Sequence, residues 1–352
     1  MDIYQFYKEI KKLAPSNYEG AENFRDHLSK QLRSLDLILN QLDRELRPEQ
    51  WDKLMSEVSY LSRTIKEVVK RYYKGQHSFA YGLLKKAVSK HLIPCATIES
   101  NKVWYRMRVF ENKNAITPKE LFHIPFDKRG SVATQRYSAT GYPCLYLGAS
   151  IFSCWEELNR PELNRSFVSK LENNRELKVL NLNIPSFADI QLSLTDGSFV
   201  SFIKRLPIII STMVQVKNDS DTFKPEYIVP QLLMEFVIDG YRNKKQDNPI
   251  GIVYSSVNQN HDFNFDGPDA NEILLQNIAI PVQNPFNGNY CQILCNIFSI
   301  SEPSCDEFEQ AKQPYEIKSS TNGYQYSSSV FGLLEQRLSD CNKFPMQIID
   351  FK

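Results

Sequence analysis

Between residues 104 and 158 the chain sets charged and hydroxyl side chains beside short apolar runs: W-Y-R-M-R (104–108), F-H-I-P-F (122–126), R-G (129–130), R-Y-S-A-T-G-Y-P-C-L-Y-L-G (136–148) and C-W-E-E-L (154–158). Arg136 stands just before a Ser-x-x-Gly turn, the turn leads into an apolar strand carrying Tyr146, and Glu157 follows eleven residues after Tyr146 at the start of a helix. Charge beside an apolar strand is costly unless it is paired or liganded. An arginine and a glutamate flanking a tyrosine are therefore expected to meet at one cleft, where perturbed charged groups do binding or catalysis. Each residue also has an ordinary structural role as its alternative. Tyr146 alternates with Leu145 and Leu147 like a core residue, Arg136 suits a surface ion pair, and Glu157 suits a solvated first helical turn. His123 and Arg129 lie close by in sequence and fit a supporting or a purely structural role equally well.

Other chemistries find no foothold. The 13 glycines in 352 residues form neither G-x-G-x-x-G nor G-x-x-x-x-G-K-[ST], so a nucleotide would have to be held by side chains rather than by a glycine-rich loop. The five histidines, His27, His77, His91, His123 and His261, never pair at helical spacing, and no metal is expected. No G-x-S-x-G elbow is present. A net charge of +1, from 42 basic and 41 acidic side chains, gives no field for nucleic acid or an anionic membrane. The sequence has no apolar run of membrane-spanning length and no leader-like N-terminus, which reads as a cytoplasmic chain. Its seven cysteines are an odd number, expected as buried free thiols.

The elements that must position these residues fall into three stretches. Residues 1–95 read as a helical domain. Leu28, Leu32, Leu35, Leu39 and Leu42 form one stripe, and Trp51, Leu54, Val58, Leu61, Ile65, Val68 and Tyr72 form another. Pro48 marks the start of the second helix, giving an antiparallel hairpin followed by a third helix over 79–92. The stripes are expected either to pack internally or to bind a partner or a second copy. Residues 96–300 read as an α+β domain with strands at 103–105, 144–147, 177–182, 208–210, 252–254 and 278–282 and helices at 153–158, 199–205 and 229–241. Cys291 and Cys295 are read in a strand-like run. Residues 301–352 form a C-terminal extension, with a helix over 330–339 and a strand over 346–351, packing on that domain.

The segments R-Y-S-x-x-G-x-P-C-L-Y-L-G and C-W-x-E, with G-I-V-Y-S-S-V at 251–257, resemble the RES-domain family, named for its arginine, glutamate and serine. The resemblance spans roughly residues 100–285 and leaves both flanking stretches as additions to the usual compact domain. It implies an ADP-ribosyltransferase-like fold and an NAD+-consuming toxin of a toxin–antitoxin pair. Carried over by position, Arg106 matches the first arginine, with Arg108 as the competing register, Arg136 the second and Tyr146 the strand tyrosine. Glu157 matches the acidic residue, with Glu156 competing, and Ser256 matches the serine. Breaking the nicotinamide–ribose bond develops positive charge on the sugar, which a carboxylate at Glu157 would stabilise. The arginines would grip the pyrophosphate, a ring such as Tyr146, Tyr105 or Tyr137 would stack on a base, and Ser256 would hydrogen-bond the amide or ribose. The implied partners are NAD+ as substrate, inorganic phosphate as co-substrate and an antitoxin or inhibitory protein, with the N-terminal helices a candidate for self-association. ADP-ribosyl transfer to a macromolecule, and an inactive interaction module, are the alternatives.

Overall fold

A computed structural model describes residues 1–42, 48–90, 95–111, 116–242, 248–257, 273–283, 289–305, 326–340 and 343–345. In chain order the elements are helices α1 (Ile3–Leu13), α2 (Phe24–Gln41), α3 (Pro48–Tyr73) and α4 (His77–Lys90), strands β1 (Cys95–Ile98), β2 (Val103–Val109) and β3 (Cys144–Gly148), and helix α5 (Ile151–Glu157). Then follow β4 (Ser166–Asn173), β5 (Leu177–Asn181), α6 (Phe187–Asp196), α7 (Ser198–Thr212), α8 (Ile228–Arg242), β6 (Gly251–Ser255), β7 (Gln276–Pro281), α9 (Gln292–Ile297), β8 (Phe298–Ser301), α10 (Val330–Asp340) and β9 (Lys343–Pro345). The class is α+β, with the helices leading and a mixed helix-and-sheet part following, as the sequence predicts.

The chain falls into two compact units. The first contains Met1–Cys95, Thr134–Tyr137 and Leu180–Lys245; the second contains Ala96–Ala133, Ser138–Val179 and Gln246–Lys352. Residues 180–245, placed by the sequence in the middle stretch, thus share a unit with the N-terminal helices.

In the first unit both stripes are interior. Leu28, Leu32, Leu35 and Leu39 on α2 and Trp51, Leu54, Val58, Leu61, Ile65 and Val68 on α3 are all buried. Each such side chain contributes about 1.5–3 kcal/mol by leaving water. The stripes hold this unit together and are not available to a second copy. Asn23 caps α2 through the Asp26 N–H, and Pro48 opens α3 where a missing N–H costs nothing. The run Ile208–Ile210, read as a strand, instead continues α7 through Pro207. A short apolar run enclosed on all sides has no periodicity to separate helix from strand, and these isoleucines are fully buried.

The second unit is built on a nine-stranded sheet in the order β1-β5-β6-β7-β3-β2-β4-β8-β9. Strand alternation divides its side chains between two faces. One face carries Trp104, Leu145, Leu147, Leu171, Val253, Ile278 and Ile280 into one core. Tyr105, Met107 and Val168 pack with Ile151, Phe152 and Cys154 of α5 and with Phe331, Leu334 and Leu338 of α10 in another. Cys291 and Cys295 sit at the start of and within α9, not in a strand, because a separation of four is one helical turn. Among the described residues no two cysteines form a disulfide, and Cys144, Cys154, Cys291 and Cys295 are buried. The strand expected at 346–351 and the last residues of the helix expected at 79–92 lie outside the described residues. Among the described residues no helix is long and apolar enough to cross a membrane.

Candidate functional site

Strand β2 pairs with β4 from Val103 opposite Glu172 to Val109 opposite Ser166, but it meets β3 in register only at Tyr105 opposite Gly148. Beyond that pair Arg106 bridges the two strands, its Nη1 donating to the main-chain oxygen of Tyr146 at 2.7 Å. Its Nε is enclosed and, among the described residues, has no hydrogen-bond partner. Burial, then the neighbouring Arg108 cation, brings the guanidinium pKa down to about 10. An enclosed cation with a spare N–H is costly by several kcal/mol unless an anion joins it. Arg108 is engaged elsewhere, donating to the Glu120 carbonyl at 2.7 Å and lying over the Phe110 ring. Of the two arginine registers, then, Arg106 is the one beside Tyr146. The half-buried Tyr146 ring is anchored by its hydroxyl, 2.9 Å from Ser138 Oγ.

Two residues separate β3 from helix α5. Ser150 caps it, its Oγ accepting from the Ser153 N–H at 2.9 Å and donating to the Leu274 carbonyl at 2.6 Å. Glu335 of α10 accepts from the Ile151 N–H at 2.9 Å and from the Tyr326 hydroxyl at 2.6 Å, which pins this end of α5 to the C-terminal helix. At the other end the two glutamates separate. Glu156 is buried and ion-paired with Arg160 at 2.9 Å. Glu157 is half-buried and accepts from Asn277 Nδ2 at 2.9 Å, while Ser153 Oγ donates to Asn277 Oδ1 at 2.6 Å. Asn277 lies on β7, opposite Gly148 of β3 and Tyr254 of β6. Sequence reasoning missed it; its signal was an amide at the head of an apolar strand, where asparagine is disfavoured. Ser256 follows β6, fully buried, with its N–H on the Leu275 carbonyl at 2.9 Å.

The other expected residues have different settings. Arg136 belongs to the first unit, where Nη1 donates to the carbonyls of Thr212 at 2.8 Å and Val214 at 3.0 Å and the guanidinium lies over the Tyr227 ring. Tyr137 is buried in the first unit as well. Tyr105 packs among Met107, Phe152 and Cys154 as core. His123 is fully buried, with Nδ1 on the Ile124 carbonyl at 2.8 Å and Nε2 accepting the Cys291 N–H at 2.9 Å. That arrangement fixes the neutral Nδ1–H tautomer, and burial lowers the imidazole pKa to about 4. Arg129 donates to the Gly141 carbonyl at 3.0 Å and holds the turn before β3. Among the described residues no three His, Cys, Asp or Glu side chains are grouped so as to hold a metal ion.

The second unit thus brings an anion-seeking arginine, a tyrosine and an oriented carboxylate onto β2, β3 and the helix that follows β3. Over 269 residues the chain is 30% identical to a Bacillus subtilis (strain 168) protein named "Putative toxin YopC". The match takes in 71% of this chain and 59% of that protein, so the chain spans under two thirds of its relative's length. No family model and no solved structure matches the chain.

Proposed function

We propose that the chain is a toxin that consumes NAD+ by breaking the nicotinamide–ribose bond, restrained in its host by an inhibitory protein partner. The observation that carries the chemistry is Arg106, whose enclosed Nε has no partner among the described residues and which is joined to the strand holding Tyr146. A pyrophosphate is the anion that suits such a site: it supplies the missing acceptors and offsets the buried charge. Tyr146 offers a ring for a base, and Glu157 offers a carboxylate for the sugar. The toxin assignment draws on the name of the Bacillus relative.

In the step itself the bond between C1′ and the nicotinamide nitrogen breaks, and its electron pair leaves with neutral nicotinamide. The positive charge passes to the ribose ring, where Glu157 stabilises it. Water then bonds to C1′ and loses a proton to solvent, giving ADP-ribose; inorganic phosphate in the same role gives the 1-phosphorylated product. Purified protein incubated with NAD+, with and without phosphate, is expected to release nicotinamide, and product mass identifies the acceptor. Glu157→Gln, which removes the charge at constant size, should lower turnover by about 10²–10³-fold. NAD+ left intact after long incubation rejects the reading, and label transferred to protein or nucleic acid redirects it to ADP-ribosyl transfer.

A further inference from the structure

The one carboxylate assigned to the sugar does not point into the site unaided. Asn277 is 3% exposed in the middle of the sheet, on a strand flanked on both sides by other strands. A buried amide there must satisfy both of its ends. Ser153 Oγ donates to Oδ1 at 2.6 Å, and Nδ2 donates to Glu157 Oε1 at 2.9 Å. The reverse orientation of the amide would set Oδ1 against the carboxylate, two acceptors with no proton between them for ionised Glu157. The carboxylate, which when ionised can only accept, therefore sets the orientation of the amide, and the serine hydroxyl, from the first turn of the helix that ends at Glu157, completes it by donating to Oδ1. Gly148, directly opposite on β3, leaves the necessary room, since a Cβ at that position would lie 3.3 Å from Asn277 Oδ1.

We propose that Asn277, anchored by Ser153, is the positioning residue that aims the Glu157 carboxylate during bond cleavage. The inference rests on the NAD+ reading given above. The amide sits on a strand paired on both sides while its target sits at the end of a seven-residue helix, so it ties the helix end to the sheet. Its bond to the carboxylate matters most where the carboxylate carries its charge against the developing cation, so it should act on kcat and leave substrate affinity alone.

Three proteins test it: the full-length wild type, Asn277→Asp and Ser153→Ala. Asn277→Asp keeps the shape but replaces the donor with an acceptor, and kcat for nicotinamide release should fall by about 10²-fold with KM changed less than about 3-fold. Ser153→Ala leaves Oδ1 without its donor and loosens the amide, and should lower kcat by about 3–10-fold, again at nearly constant KM. NAD+ should still raise the melting temperature of both variants, as it must for any form that binds it. Unchanged kcat in folded Asn277→Asp overturns the inference. So does a loss that appears in KM or in NAD+-dependent melting instead. Should Asn277→Asp fail to fold, Ser153→Ala decides, and wild-type kcat in that variant overturns the inference. A wild type that cleaves no NAD+ overturns the parent reading and this inference together, whereas an active wild type with indifferent variants overturns this inference alone.

Discussion

At the scale of single residues, the site depends on what is missing as much as on what is present. Gly148 is the position where β3 turns toward α5, and a Cβ there would come within 2.8 Å of Cys154 Sγ, 3.0 Å of the Ser150 carbonyl and 3.3 Å of Asn277 Oδ1. Two of these neighbours are fixed by their own bonds, Cys154 to the Tyr105 carbonyl and Asn277 to Ser153. Gly148→Ala should therefore destabilise the second unit by about 1–3 kcal/mol. It should also lower nicotinamide release, which denaturation and turnover measured together would show. Part of this site is legible from residue types, since the tyrosine and a glutamate stand out as polar or charged groups beside apolar runs, while the arginine pair and the glutamate pair enter through the family resemblance. The choice within each pair is not legible. Arg106 and Arg108 point to the same side of one strand, so alternation cannot rank them, and only the Tyr146 and Glu120 carbonyls separate their roles. Asn277 shows in the sequence only as an amide at the head of an apolar strand, and its role does not, because its partners Ser153 and Glu157 lie 124 and 120 residues away.

Among elements, the helical stripes can be read directly because their period is sustained over five to seven side chains each, and all of these but the half-buried Tyr72 are buried as the spacing requires. The Ile208–Ile210 run misleads for the opposite reason: three apolar residues hold no period. The dependence of α5 on α10 cannot be read at all, being a hydrogen bond across 184 residues between Glu335 and the Ile151 N–H. That dependence has a measurable consequence. Phe331 of α10 is fully buried, its ring 5.3 Å from Phe152 and 5.5 Å from Trp155 between ring centres. Phe331→Ala removes the whole ring from this cluster and should cost about 3–5 kcal/mol. Because both of those neighbouring rings belong to α5, the variant's Trp155 emission should shift to longer wavelength, and nicotinamide release should fall with it. Wild-type emission and wild-type stability in Phe331→Ala would show that α5 stands without the C-terminal helix.

Over the whole molecule, 42 basic and 41 acidic side chains nearly cancel, so general charge repulsion contributes little to stability near neutral pH. The pH dependence then falls to a few buried groups whose pKa values differ between folded and unfolded chain. Glu335 is one: burial, opposed by its bonds from Tyr326 and the Ile151 N–H, raises its pKa from 4.5 to about 7. The unfolded chain ionises first, so the stability this carboxyl contributes is full below about pH 4.5 and is lost as pH rises through about 7. His123 acts with the opposite sign, since its pKa falls from 6.5 to about 4. Its contribution is full above about pH 6.5 and is lost as pH falls through about 4. The two slopes oppose each other between roughly pH 4.5 and 6.5. Glu335→Gln removes only the first. The amide can still accept from the Ile151 N–H but carries no charge to bury, so the variant should exceed wild type by about 1–3 kcal/mol at pH 8. That advantage should shrink to nothing or reverse near pH 4.5. Urea denaturation at these two pH values would measure it in a Trp51→Phe background, where of the 3 tryptophans only Trp104 and Trp155 of the second unit remain to report. A variant no more stable than wild type at pH 8 would mean that the Glu335 carboxylate is solvated in the folded protein, and that the end of α10 is not closed over α5.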